Sequence, residues 1–452
     1  MTSSPQRPPE PPTALTREGV VLKESVPLRR VPGFRHFWMS RAASGLGSAV
    51  TAVALPVLAY RQTHSPLMVS LVAACGTLPY VVFGLIAGAV ADRTDRRRLM
   101  IVSDWLNAAC LASVPLASAL GVLTGGHLLV VAFASAGLGL FFDAGVYGVV
   151  PDIVGKERLA AANSSLQGTE TVVRIAGNAL AGGLILVFRP AGTLALDAVS
   201  YAVSALLVRA VSRGAYGPRG TDSTDGTDNT DSTVGTAAAH GTAAPPPRPA
   251  FAESVREGLR FLRRHPTLRV MTVVGTLQSF SGGAIVGQLV VFADRGVGIH
   301  GSDGRIGLLY MAWSAGGIGG SLLLPRLRRR FAAFPLLLGV LPAGALLGLA
   351  VVRAPDWRLA ALALAAWGSA YLVVLVNTMT YSQEVTPDAL QGRVNTTRRM
   401  LSSGLGVPLG ALVASALTVR LGVRAGMSVA VVAVALAAAV VWSVQLRRWV
   451  RK

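Results

Sequence analysis

Long apolar runs separated by short polar turns dominate this chain. A bilayer's hydrocarbon layer is ~30 Å thick, and a helix needs about 20 apolar residues to cross it. About twelve runs meet that length. Six precede the middle of the chain: Phe37–Tyr60, Leu67–Ala91, Leu99–Leu123, Leu128–Val150, Ser165–Phe188 and Gly192–Arg213. Six follow: Leu268–Phe292, Arg305–Leu324, Phe334–Val352, Arg358–Gln383, Val394–Val419 and Val423–Leu446. The pattern predicts an all-α polytopic membrane protein, with twelve transmembrane helices in two pseudo-symmetric six-helix halves.

The polar stretches fill in the organisation. Residues 1–33 are rich in proline and polar side chains, lack the apolar core of a signal peptide, and read as a disordered cytoplasmic tail. The halves are expected over 34–213 and 266–446, followed by a basic cytoplasmic tail over 447–452. Between them, 214–250 carries Thr221-Asp-Ser-Thr-Asp-Gly-Thr-Asp-Asn-Thr-Asp and then Pro245-Pro-Pro. Such a segment cannot bury enough apolar surface to fold, so it is expected to be a disordered cytoplasmic linker. Over 251–265, Phe251, Val255, Leu259 and Leu262 recur at helical spacing, and Arg256, Arg260, Arg263 and Arg264 fill the other faces. A basic amphipathic helix is expected to lie on an anionic lipid leaflet, with partner binding as the alternative.

Charge decides the orientation. The chain has 452 residues and a formal charge of +20, yet only 14% of residues are charged and 52% are hydrophobic. In a soluble protein such a charge would suggest nucleic acid. Here the arginines sit at alternate ends of apolar runs, and no nucleic-acid partner is expected. Arg93, Arg96, Arg97 and Arg98 follow the second run, and Arg326, Arg328, Arg329 and Arg330 follow the eighth. Lys156, Arg158, Arg393, Arg398, Arg399 and the basic C-terminus lie on the same side. The opposite turns carry fewer positive charges, such as Arg61, Arg189 and Arg295. The positive-inside rule then places both termini and the linker in the cytoplasm.

One turn is especially specific: Gly88-Ala-Val-Ala-Asp92-Arg93-Thr94-Asp95-Arg96-Arg97-Arg98, between the second and third runs. Glycines at 84 and 88 would let two helices approach closely. Asp92 could accept hydrogen bonds from a neighbouring helix N-terminus. The halves echo each other here. Gly84, Gly88 and Arg96–Arg98 match Gly316, Gly320 and Arg328–Arg330 in order and spacing, with Leu324 and Pro325 opposite Asp92 and Arg93. Pro151-Asp152 likewise matches Pro387-Asp388.

This turn resembles the loop between helices two and three of the major facilitator superfamily. Further stretches are similar to the branch with enterobactin-exporter-like and macrolide-efflux-like bacterial proteins. They are Phe34-Arg-His-Phe-Trp, Val53-Ala-Leu-Pro56, Leu196-Asp-Ala-Val-Ser-Tyr201, Glu257-Gly-Leu-Arg-Phe-Leu-Arg-Arg-His-Pro266 and Gln391-Gly-Arg-Val394. The resemblance implies twelve helices, alternating access, and proton-driven export of small organic molecules through the plasma membrane. Import and a transport-inactive sensor or scaffold are the alternatives. Two departures bear on coupling. The branch often carries an acid where this chain has Ser48, and the fifth-span Gly-Pro is replaced by Gly177-Asn178.

Ionisable groups inside membrane helices are costly, and each invites a functional hypothesis. Asp143 lies near the cytoplasmic end of the fourth run, and Glu170 and Arg174 lie at i,i+4 spacing early in the fifth. Consecutive antiparallel helices bring the three to one depth, as a polar site for substrate or proton or as a static ion pair. Arg41 is expected to snorkel to the interface. Asp104 and Asp197 are expected to serve helix N-termini or to pair with a loop arginine, with proton carriage as the minority reading. In the second half Gln278, Asn377, Tyr381 and Gln383 could line a substrate path or bond helix to helix. The turn Gly88, Asp92, Arg93, Arg96, Arg97 and Arg98, with Asp104, is expected to control conformational switching. Gly404, Gly406, Pro408 and Gly410 predict a bent or closely packed eleventh helix. Trp313 and Trp367 could stack on a substrate or pack in the core. Cys75 and Cys110 have no pairing or metal-ligand spacing. There is no Gly-x4-Gly-Lys-Ser/Thr, His-Glu-x2-His or Gly-x-Ser-x-Gly pattern, so no cofactor, metal or enzyme chemistry is expected. A monomer binding substrate, protons and lipid is the expected state.

Overall fold

A computed structural model of the chain describes residues 31–155, 158–211, 251–299 and 305–450. The N-terminal tail, the linker and the last two residues lie outside these. Among the described residues all regular structure is helical, as lipid demands when no water can satisfy backbone groups. The helices are α1 (Pro32–Thr63), α2 (Pro66–Cys75), α3 (Pro79–Val82), α4 (Gly84–Arg93), α5 (Arg96–Ala119), α6 (Gly125–Val154) and α7 (Leu159–Ala210). They continue as α8 (Phe251–Arg264), α9 (Pro266–Arg295), α10 (Arg305–Arg330), α11 (Ala333–Arg353) and α12 (Trp357–Val385). The last are α13 (Asp388–Arg399), α14 (Val407–Leu421) and α15 (Val423–Val450), with a π-helical stretch Met400–Gly406 before α14.

Among the described residues, ten helical segments are long and apolar enough to span a membrane. The remaining two spans of the twelve-helix plan are recognisable by what breaks them. The second is split into α2, α3 and α4 around Gly76 and Phe83. The fifth and sixth run together as α7, divided where Arg189 turns to φ 57° just before Pro190. The fifth forms the first part of α7, as its apolar run Ser165–Phe188 predicts.

The boundaries follow from local chemistry. Proline stands at the first turn of α1, α2 and α9, where its missing N–H costs nothing. The side chains of Asp95, Thr124 and Asp356 cap α5, α6 and α12. Pro408 has no N–H to return to the carbonyl of Gly404, and the helix widens into the π stretch just before it. Of the two features expected for the eleventh helix, close packing is present: Gly406 and Gly410 lie against the α9 backbone.

Two sets of helices pack around a shared apolar core, with Leu111, Leu128, Leu194, Ile285, Leu289 and Phe292 fully buried. Within the first set α1 lies along α7; within the second α10 lies along α12. The sets meet through α2 against α14 and α7 against α10. Hydrogen bonds between them gather at the end remote from both helical termini. There Tyr60 Oη donates to Asp294 at 2.7 Å, and Arg295 donates to Tyr60 Oη at 3.0 Å and to the carbonyl of His64 at 3.0 Å. Deeper in, Gln288 Nε2 donates to Ser70 Oγ at 2.7 Å, both residues fully buried.

The two glycine repeats behave differently. A Cβ at Gly316 or Gly320 would run into the backbone of α12 at Ala365 or Ser369. Their close approach is real. Gly84 and Gly88 face open space, so the expected close helix contact is absent there.

The amphipathic helix is packed on the rest of the chain along one face. Leu262 of α8 is buried against Leu268 and Val394, and Glu257 pairs with Arg393 of α13. Gly258 sits against the backbone of Arg393. One face of α8 therefore packs on the chain's own α13, while Leu259 stays exposed and can meet lipid.

Candidate functional site

Polar groups inside the first half collect along the seam of α1, α5 and the second part of α7. Ser40, Ser44, Ser48 and Thr51 recur along one stripe of α1. Facing them on α7 are Asp197, Ser200, Tyr201 and Ser204 at matching helical spacing. Thr51 Oγ1 donates to Asp197 at 2.5 Å, and Ser200 Oγ donates to the same carboxyl at 2.9 Å. The Ser48 and Tyr201 hydroxyls meet at 2.8 Å, as do those of Ser40 and Ser204. Ser204 then donates to Asp104 of α5 at 2.5 Å. Gly47 presses directly on the Asp197 carboxyl, which any Cβ would displace.

Asp104 and Asp197 are each 1% exposed, with hydroxyls as their hydrogen-bond partners among the described residues. Among the described residues Asp104 is not paired with a loop arginine. The helix-capping role expected for both is also absent, because each lies inside a helix with its neighbours' backbone groups already bonded. The α5 cap is Asp95, which accepts from the N–H of Arg98 at 3.1 Å. The sequence named both acids but missed the hydroxyl stripe that holds them; the Ser/Thr repeat at 40, 44, 48 and 51 was the readable signal.

Asp143 takes its cation from an unexpected helix. Arg41 Nη1 binds Asp143 Oδ1 at 3.0 Å, and the guanidinium lies 5.5 Å from the ring centre of Phe142. Arg41 therefore does not simply snorkel. Its charge also reaches Glu170 and Asp104. Glu170 lies exposed on α7, and the Arg174 side chain falls outside the described residues. The structure thus gathers Arg41, Asp143, Asp104 and Glu170 in one neighbourhood, with the arginine supplied by α1.

In the turn after α4, Arg97 binds the backbone carbonyls of Val208 and Arg209, closing the C-terminal end of α7. Arg93 and Arg98 are exposed, Arg96 is half-buried, and the Asp92 side chain lies outside the described residues.

In the second half, Asn377 is fully buried. It donates to the carbonyl of Ala333 at 2.9 Å and accepts from Arg328 at 3.2 Å. Arg328 also grips Glu384 through both carboxylate oxygens, at 2.6 and 2.7 Å. Asn377 thus ties helices together, one of its two expected roles. Gln278 is buried with its side-chain oxygen unbonded, and Tyr381 packs half-buried in the core. Trp367 is core, stacked 5.2 Å from Tyr371. Gln383 joins Ser382, Thr386, Gln391, Asn395 and Arg398 around a cavity of about 230 Å³ where α12 meets α13. Among the described residues no group of His, Cys, Asp and Glu is arranged to hold a metal.

Taken together, the fold defines a multi-pass membrane protein of two repeated helical sets meeting around a polar seam. The chain belongs to the Major Facilitator Superfamily, whose profile matches residues 37–402. Among curated relatives, the multidrug efflux pump Tap of Mycolicibacterium fortuitum is 29% identical over 286 residues, 62% of this chain and 63% of the relative. The chain thus spans less than two thirds of that relative's length. The enterobactin exporter EntS of Citrobacter koseri is 26% identical over 390 residues, 84% of each chain. Among solved structures, an inward-facing, unoccupied bacterial homologue of the lysosomal transporter Spinster superposes with a TM-score of 0.71. It is 16% identical and covers 92% of this chain and 97% of that one, a likeness of fold.

Proposed function

We propose that the protein is a proton-coupled exporter of small organic molecules that works by alternating access in a bacterial inner membrane. The observation that carries this reading is the arrangement of the two helical sets. They are bonded to each other at the end remote from the termini, through Tyr60, Asp294, Arg295 and Ser70–Gln288. At the other end a polar cavity opens beside α13. A carrier closed at one membrane face, with its path between the repeats, fits the bonded end; the cavity itself lies within the second set, between α12 and α13. The arginine-rich turns lie at the open end, which supports a cytoplasmic placement for it and for both termini. The efflux roles named for the two relatives support export over import. The monomer and the domain limits 34–213 and 266–446 belong to the same reading.

Coupling is assigned to Asp104 and Asp197. An acid held only by hydroxyls can gain or lose a proton without breaking an ion pair, because a hydroxyl can donate or accept. The hydroxyl stripe from Thr51 to Ser40 offers both acids such partners. Asp143 and Glu170 beside Arg41 form the polar cluster that senses substrate, with Arg174 one turn beyond Glu170. The turn from Gly88 to Arg98 governs switching.

The test is accumulation of fluorescent efflux substrates in cells lacking or overexpressing the protein, with and without a protonophore. Lower accumulation on overexpression, abolished by the protonophore, is expected. Unchanged accumulation across a broad dye panel at normal membrane levels overturns export.

A further inference from the structure

Among the described residues Arg398 has no acidic partner. It lies five residues into the apolar stretch that begins at Arg393, where an uncompensated charge is costly. Its Nε is buried without a hydrogen-bond partner, and its guanidinium turns inward toward Gly275 of α9. Among the described residues no acidic charge acts on it. Two acids of this region are committed elsewhere: Glu384 to Arg328, and Glu257 to Arg393. Arg328 and Arg393 are thus paired, while among the described residues Arg398 is not.

The surroundings of Arg398 are built for a ligand. The cavity of about 230 Å³ that it lines is walled by Gln383, Gln391 and Asn395, with Ser382 and Thr386 behind them. These are neutral donors and acceptors, and the three amides are exposed to the opening. An acid is missing from that wall, so the arginine's charge is left for something that enters. The volume suits a carboxylate- or sulfonate-bearing ring system rather than a bare ion, below the usual ~300–1,000 Å³ of a complete drug site. The π stretch that follows at Met400–Gly406 loosens the helix just beyond, a feature frequent at functional sites.

We propose that this cavity receives the anionic group of a small organic molecule, with Arg398 as its charge partner and Gln383, Gln391 and Asn395 as its hydrogen-bonding rim. The proposal rests on the export reading for its physiological sense and names the substrate class: organic anions, entering from the open end. Arg398 binds the charged group by charge-assisted hydrogen bonds, which are about twice as strong as neutral ones.

Direct binding separates this proposal from the export reading. Purified full-length protein is titrated with 5-carboxyfluorescein, an organic anion, and with rhodamine 6G, a cation, and fluorescence anisotropy is followed. Wild type is expected to bind carboxyfluorescein in a salt-sensitive manner. Arg398→Gln is expected to weaken it by about tenfold or more, the loss of one charge-assisted contact, while Arg398→Lys retains part of it. Because Arg398→Gln also changes a buried site, Asn395→Leu serves as a rim variant that leaves the charge in place and is expected to weaken binding a few fold. Equal carboxyfluorescein affinity in wild type and Arg398→Gln overturns the proposal. So does binding of rhodamine 6G alone. If carboxyfluorescein binds through Arg398 but cells export neither dye, the anion site stands and the export reading falls.

Discussion

At the scale of single residues, the two sets of acids in the first half should respond differently to neutralisation. Asp197 has hydroxyl partners and no cation, so Asp197→Asn keeps its shape and leaves no charge stranded. This variant should insert and fold normally, yet transport should lose its dependence on the proton gradient. Dye efflux from cells with and without a protonophore reads this out. Undiminished sensitivity to the protonophore would move coupling to another acid. Asp143 is the opposite case, since it holds Arg41 at 3.0 Å. Arg41→Ala strands the carboxylate at a half-buried site and should lower stability by ~1–3 kcal/mol, seen as a lower melting temperature in detergent. Adding Asp143→Asn to Arg41→Ala should recover most of that loss. No recovery would mean that Arg41 matters for its packing on Phe142 instead.

The elements were legible wherever hydropathy alone sets them, and illegible where packing decides. Runs such as Leu99–Leu123 and Phe334–Val352 stand out because a membrane span must be uniformly apolar; in the structure they are α5 and α11. The fifth span, Ser165–Phe188, was legible as an apolar run in the same way, and it forms the first part of α7. Partner choice was harder. Arg41 lies over a hundred residues from Asp143 in sequence, and only the packing of α1 brings them together. The glycine repeat shows the same limit. Gly88 and Gly320 sit in matching motifs, yet only Gly320 touches a neighbouring backbone. Gly320→Val should therefore wedge α10 from α12 and cost ~1–3 kcal/mol or more. Gly88→Ala should leave the melting temperature unchanged and act, if at all, on the transport rate. Equal thermal losses from the two variants would show that α4 packs as closely as α10 in the folded protein.

On the scale of the whole molecule, alternating access requires the bonded end to open. The linker need not take part: deleting residues 221–240, a tract of threonine, aspartate, alanine and glycine, should leave insertion and transport nearly unchanged. Loss of transport at normal protein levels would assign that segment a role. The contacts that must break lie at the opposite end. Tyr60 and Arg295 surround Asp294 and the carbonyl of His64, and one step deeper Gln288 reaches Ser70 across the seam. Each such hydrogen bond contributes ~0.5–1.5 kcal/mol net. A handful together bias the two conformations by a few kcal/mol, enough to hold the minor state at or below a few per cent. Weakening the set should raise the population open at that end. Tyr60→Phe with Asp294→Asn is expected to increase labelling of a cysteine introduced at Val57, a residue lining the cavity of about 80 Å³ beneath these contacts. Locking the set should do the reverse. With Cys75 and Cys110 replaced by alanine, Ser70→Cys and Gln288→Cys bridged by a short bifunctional thiol reagent should stop transport, because the halves can no longer part there. Carboxyfluorescein should still bind the bridged protein, since its entrance lies at the other end beside Arg398. Restored transport on cleaving the bridge completes the test. Continued transport with the bridge intact would show that these two helices stay together throughout the cycle, and that the opening runs through α7 and α10 instead.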